Sequence, residues 1–318
     1  MLTRRFITAT ATAAVLAAGG LGVWWSQRPG ALASAGSSNP QSEIRPPQPP
    51  PLHPVVSQIV HDSAALPYLK LNYIIKEIPT DLAVHDIDAL LTFITGPQPG
   101  KFSLGEWGSL TNDIQEALSV QKVPNEKVAR TLIATFRDEN RPQLMRDYAL
   151  QHVGGFAIYL VHTAHTRKGK LPAFFNDLTA ELLTAAQDSS KPWCGTAFNL
   201  LGGILRAAEY RTMEIPGVNA ETLTALALSA AKDTTAPLNA RLPALQLAAR
   251  HKSPDAAALA REILNDRESP LMLVQSAAAV LATTGTGEDL ALLQTLRSKN
   301  IPHTREALDT AIRQISKR

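Results

Sequence analysis

The chain has one cysteine in 318 residues, Cys194, so no disulfide can form within it and no thiol pair can run dithiol chemistry. It holds no Gly-x-Ser-x-Gly elbow, no phosphate-cradling glycine loop and no dinucleotide-binding glycine pattern. The two glycines of TGTGED at 284–289 lack the Lys-Ser/Thr pair and the spacing of either nucleotide motif, and they read as a helix cap and turn. No catalytic and no cofactor-binding residue is therefore predicted, and the chain is expected not to be an enzyme. Excess charge is missing from most of it too. Residues 1–55 carry Arg4, Arg5, Arg28 and Arg45 against Glu43, which leaves 27 basic and 27 acidic side chains for the rest. The pI near 9.0 thus belongs to the leader, and no basic stripe predicts nucleic acid as a partner. Aromatic residues make up only 5%, but hydrophobic residues reach 45%, enough for a sizeable core.

The leader, MLTRRFITATATAAVLAAGGLGVWWSQR, has two arginines and then an uncharged run from Phe6 to Trp25. As a helix that run spans about 30 Å, the thickness of a bilayer core. Its length, and Trp24-Trp25 at the far interface, predict an uncleaved signal anchor. The many Ala, Thr and Gly residues and the downstream ALASAG fit the alternative, cleavage near Ala33 or Ala35 and secretion. Arg4 and Arg5 stay inside on either reading, so the rest of the chain is exported. The expected location is a single-pass cytoplasmic membrane protein with its C-terminal domain outside the cytoplasm, periplasmic in a diderm bacterium. TRRFIT resembles a twin-arginine export signal through Thr3, Arg4 and Arg5, although Ile7 and Thr8 stand where Phe and Leu are usual. No cysteine follows the run, which excludes a lipid-modified N-terminal cysteine.

Eight prolines fall within residues 27–55, and such a segment favours a semi-rigid polyproline spacer. The predicted organisation is a signal anchor or signal peptide over 1–26, a disordered Pro-rich linker over 27–55 and a helical repeat domain over 56–318. In that last part apolar residues recur at helical spacing, as in Leu71, Ile74, Ile75 and Ile78, or Leu308, Ala311, Ile312 and Ile315. LKLNYII at 69–75 also alternates like a strand, but without a partner strand nearby it reads as helix. Breaks such as GKLP, SSKP, TTAP and RESP put proline at or near a first helical position.

The body also matches itself. YALQHVGGF at 148–156 overlays TAFNLLGGI at 196–204 with a shift of 48, and further shifts of 47 and 34 reach ALQLAA at 244–249 and AAVLAT at 278–283. MRDYAL at 145–150 and ARLPAL at 240–245 share a hydrophobic-Arg-x-x-Ala element. In these features the chain resembles HEAT or armadillo-type helical repeat proteins, most clearly over 125–318. VQSAAA at 274–279 departs from the pattern, with Gln275 where the arginine would stand, and residues 57–125 fit it poorly. The resemblance implies an all-α α-solenoid of antiparallel helix pairs, and a binding surface.

Trp193-Cys194-Gly195 resembles the start of a thioredoxin active site. Position 197 is Ala rather than the resolving cysteine, however, and the preceding segment is helical rather than a strand. Cys194, Phe198, Leu201, Leu205 and Ala208 form one apolar stripe, so Cys194 reads as core. His162 and His165, three apart in VHTAHTRKGK, would share a helical face and are the candidate metal ligands. No third ligand lies within the next turn, and Arg167, Lys168 and Lys170 would repel a cation. No metal is therefore predicted, and cationic side chains at a helix C-terminus account for the segment. His152 reads as a hydrogen-bonded core histidine. The leading expectation is a membrane-tethered, non-catalytic repeat scaffold that binds an unidentified protein or peptide, touching the membrane through its N-terminal helix only. The alternatives are a metal-binding accessory domain of an envelope enzyme, using His162 and His165, and a structural envelope component with no specific ligand.

Overall fold

The computed structural model describes residues 50–318. The expected signal anchor and residues 27–49 of the expected linker lie outside the described residues. Residues 51–318 form one compact unit. Its first helix begins at Pro54, so the helical part reaches slightly into the segment expected to be linker.

Among the described residues there are fourteen α-helices and no strand. They come in consecutive pairs: α1 (Pro54–Asp62) with α2 (Tyr68–Lys76), α3 (Val84–Thr95) with α4 (Leu104–Ser119), α5 (Glu126–Arg137) with α6 (Gln143–His162), and α7 (Phe175–Gln187) with α8 (Cys194–Arg211). The remaining pairs are α9 (Ala220–Lys232) with α10 (Leu238–Arg250), α11 (Pro254–Asn265) with α12 (Leu271–Thr284), and α13 (Leu290–Ser298) with α14 (Arg305–Ile315). The ambiguous 69–75 segment is helical, inside α2. Helix pairs also occupy residues 57–125, where the sequence match was poor.

Proline punctuates the pairs. Pro67, Pro142, Pro237 and Pro270 stand immediately before α2, α6, α10 and α12, while Pro54 and Pro254 open α1 and α11. A proline there has no N–H for a preceding helix to use, which ends one helix and admits the next. Other starts use side-chain caps. Ser103 and Glu106 close a reciprocal capping box on α4, and Asn219 caps α9 by accepting from the Thr222 N–H.

The helices sort into two layers. Even-numbered helices pack extensively on their even-numbered neighbours, whereas odd-numbered helices touch one another only slightly. The even-numbered helices thus form the more closely packed layer, called here the inner layer. One apolar core runs between the layers from Val56 to Ile315.

Glycine allows this close approach. A Cβ on Gly154 of α6 would stand 2.6 Å from Leu200 of α8, and one on Gly202 of α8 would stand 2.8 Å from Leu247 of α10. The two contacts repeat each other at the shifts of 48 and 47 found in the sequence. Gly195 is tighter still, since its Cβ would fall 1.7 Å from the Asn239 carbonyl oxygen. That carbonyl would ordinarily accept from residue 243, but Pro243 has no N–H, and the freed oxygen faces α8.

The arginines of the shared element also act alike. Arg146 Nε donates to the Phe136 carbonyl at 2.8 Å, and Arg241 Nε donates to the Ala231 carbonyl at 3.1 Å. Each caps a carbonyl near the end of the preceding outer helix, ten residues back, which would otherwise be left over. Gln275 instead donates to the His303 carbonyl, in the following repeat.

Candidate functional site

The inner layer presents a continuous series of polar and apolar side chains. Polar side chains bridge successive inner helices. Asn72 of α2 donates to Asp113 of α4 at 3.0 Å, Asn112 of α4 meets His152 of α6 at 3.0 Å, and Thr196 of α8 donates to Asp147 of α6 at 3.2 Å. Asn239 of α10 donates to the Pro192 carbonyl just before α8, at 2.8 Å. These bridges fix the register of the helices that present the face.

Gln151, Asn199 and Gln246 take equivalent places on α6, α8 and α10, again separated by 48 and 47 residues. Gln151 donates to Asp147 at 2.9 Å. Asn199 and Gln246 are exposed, and their carboxamides contact no hydrogen-bonding partner among the described residues. A carboxamide both donates and accepts, which suits it to the N–H and C=O groups of an extended chain. Sequence periodicity alone did not single out these amides, although the internal alignment already placed them in register.

The same layer holds most of the exposed apolar side chains. Of nine large ones exposed among the described residues, seven belong to even helices: Leu69, Tyr73, Leu104, Leu144, Tyr210, Leu271 and Met272. Leu69, Leu104, Leu144 and Leu271 all sit in the first turn of their helices, and so recur at one end of the inner layer.

His162 and His165 are placed differently from the sequence expectation. Helix α6 ends at His162, and His165 belongs to a short 3-10 turn, Ala164–Arg167. The shared helical face on which the metal reading depended is therefore missing. Arg167 donates to the Leu160 carbonyl and, at 3.0 Å, to the Thr163 hydroxyl, capping the end of α6. His165 Nδ1 lies 3.1 Å from the His162 carbonyl oxygen. Desolvation, followed by the nearby Arg211 guanidinium, pushes His162 below its ordinary value, so its surroundings oppose a cation. Among the described residues no group of three His, Cys, Asp or Glu side chains could hold a metal ion.

Cys194 is fully buried, and its Sγ donates to the Ala186 carbonyl at 3.4 Å. Burial, with a smaller contribution from Asp188, pushes its thiol up to about 11, which suppresses the thiolate that redox chemistry requires. His152 is held by Asn112, and desolvation lowers it to about 4 against the opposing effect of that hydrogen bond.

No protein-family model and no curated protein matches the chain. Among solved structures, human deoxyhypusine hydroxylase in complex with glycerol is similar over 83% of this chain and 95% of that one, with 13% identity and a TM-score of 0.32. A likeness so distant carries no substrate or mechanism across. It does correct one expectation. The neighbour is an enzyme by name, and the expectation that this chain is not an enzyme is withdrawn. No helix among the described residues is long and apolar enough to cross a membrane; the run at 6–25 lies outside them.

Proposed function

We propose that the chain is a HEAT-like α-solenoid whose inner face docks an extended segment of a protein partner, and that residues 6–25 tether it to a membrane with the helical unit on the exported side. The observation that carries the docking reading is the bias of exposed apolar side chains towards the inner layer. Two layers with equal numbers of helices would share such residues evenly if they were incidental. Clustered exposed apolar side chains ordinarily mark an interaction surface. The carboxamides of Asn199 and Gln246 support the reading by offering hydrogen bonds to a backbone, and the arginine leader supports the tether.

Site-specific photo-cross-linking tests the docking reading. A photoreactive residue at position 199 or 246 is expected to capture one identified partner, and the same residue at Thr184 or Ser229, exposed on α7 and α9, is expected not to. Binding of that partner, once purified, should weaken by about tenfold in the Asn199→Ala/Gln246→Ala variant. Cross-links confined to 184 and 229, or binding unchanged in the double variant, would refute inner-face docking.

A further inference from the structure

Two arginines from adjacent inner helices converge on one point of this face. Arg250 Nη1 lies 3.4 Å and Arg206 Nη1 3.7 Å from the position a Gly202 Cβ would take. The two nitrogens are thus no farther apart than those distances together allow. A Cβ on Gly203 would stand 3.7 Å from Arg206 Nη2, and the two buried glycines, packed against Leu247 and Ile158, fix where the guanidinium groups lie. Both arginines are exposed, and among the described residues neither makes an ion pair or donates a side-chain hydrogen bond. Other surface arginines do find carboxylates, as Arg137 finds Glu181 and Arg261 finds Asp289. Glu209 is close enough to raise His251 while Arg250 lowers it, yet it pairs with neither guanidinium.

Like charges held together favour a shared anion. An anion with two oxygens, each accepting one guanidinium hydrogen bond at about 2.8 Å, spans a gap of this size. The flanking groups indicate what carries it. Asn199 lies one helical turn before Gly203 on α8, and Gln246 one turn before Arg250 on α10. A chain hydrogen-bonded by those amides therefore passes the arginine pair.

We propose that Arg206 and Arg250 together bind a side-chain carboxylate of an acidic peptide segment laid across the inner face. The inference rests on the docking reading and adds the chemistry of the segment. The test uses the full chain in neutral detergent, with fluorescence anisotropy of a labelled (Glu-Ala)5 peptide and its (Gln-Ala)5 counterpart. The Glu peptide is expected to bind more tightly than the Gln peptide, and to weaken as salt rises. Arg206→Gln/Arg250→Gln should weaken it by about tenfold or more. Arg267→Gln/Lys299→Gln, which removes the same charge elsewhere on the surface, should leave it unchanged.

Equal binding of the two peptides, unaffected by Arg206→Gln/Arg250→Gln, would overturn the anion site and leave inner-face docking standing. An equal loss in the two double variants would also overturn it, as a general charge effect. Failure of the Glu peptide to bind would overturn it as well, and the docking reading would then be judged by its own cross-linking experiment.

Discussion

The Sγ of Cys194 lies 3.4 Å from the carbonyl oxygen of Ala186, and it does there what an arginine does in two other repeats. The shift of 48 that aligns Gly154 with Gly202 carries Arg146 onto Cys194, and the shift of 47 carries Cys194 onto Arg241. All three side chains donate to a carbonyl near the end of the preceding outer helix. The single cysteine is thus a small, buried substitute for a capping arginine.

A thiol at about 11 is ionised in only about one molecule in ten thousand at pH 7. Native protein should therefore resist thiol reagents and react in full once unfolded in guanidinium. Cys194→Ala should destabilise by about 1–2 kcal/mol, combining a lost weak hydrogen bond with a small cavity. Rapid labelling of native protein would refute the capping role.

The adjacent glycines of α6 should respond in opposite ways. A Cβ on Gly154 would overlap the Leu200 side chain, including its Cβ, whereas a Cβ on Gly155 would meet nothing within 4 Å. Leu200 Cβ cannot rotate away, so Gly154→Ala must push α6 and α8 apart and should cost about 1–3 kcal/mol. Gly155→Ala only restricts the unfolded chain and improves helix propensity, and should add about 0.5–1 kcal/mol. Chemical denaturation of the two variants would separate the effects, and a common sign would mean that the helices do not pack through Gly154.

Much of this arrangement was legible in the sequence because it repeats. Periodicity located the helices, proline marked their starts, and the Gly-Gly overlay at 148–156 and 196–204 placed Gly154 and Gly202 at equivalent positions. The end of α6 was less legible. His162 and His165 have helical spacing, but the helix stops between them, where Arg167 folds back onto the Leu160 carbonyl. The pairing of Arg206 with Arg250 was not legible at all. The two are separated by a loop and a complete outer helix, α9, and only the packing of α8 on α10 turns that separation into proximity.

Glu181 of α7 is buried, with 3% of its side chain exposed, and Arg137 of α5 reaches it through Nε at 3.0 Å. The contact joins outer helices that otherwise touch only slightly. Arg137 is itself 67% exposed, so Arg137→Ala would leave the carboxylate without its cation but open to some water, at a cost of about 1–2 kcal/mol. Adding Glu181→Gln should recover part of that loss by removing the stranded charge. Urea denaturation of both variants provides the check; if Arg137→Ala costs no more than a typical surface substitution, the pair does not stabilise the layer.

His152 makes stability depend on pH in a defined window. In the folded chain it titrates at about 4, because desolvation between α4 and α6 disfavours the imidazolium, against an ordinary value of 6.5. The unfolded chain therefore takes up a proton first as pH falls. The histidine does not oppose folding above about 6.5, and stability then declines as pH drops from there towards 4. Between about pH 7.5 and pH 5 the expected loss from this group is about 2 kcal/mol. Asp289 titrates below its ordinary carboxylate value, beneath that window. His162 and His251 are also lowered by desolvation, but both remain in a His152→Gln variant, so their contributions cancel in the comparison. Glutamine can still face Asn112 without titrating. Whatever the substitution costs at neutral pH, stabilities from guanidinium denaturation should shift by about 2 kcal/mol in the variant's favour relative to the parent protein between pH 7.5 and pH 5. Parallel curves would mean that His152 reaches water in the folded chain and that α4 and α6 do not close over it.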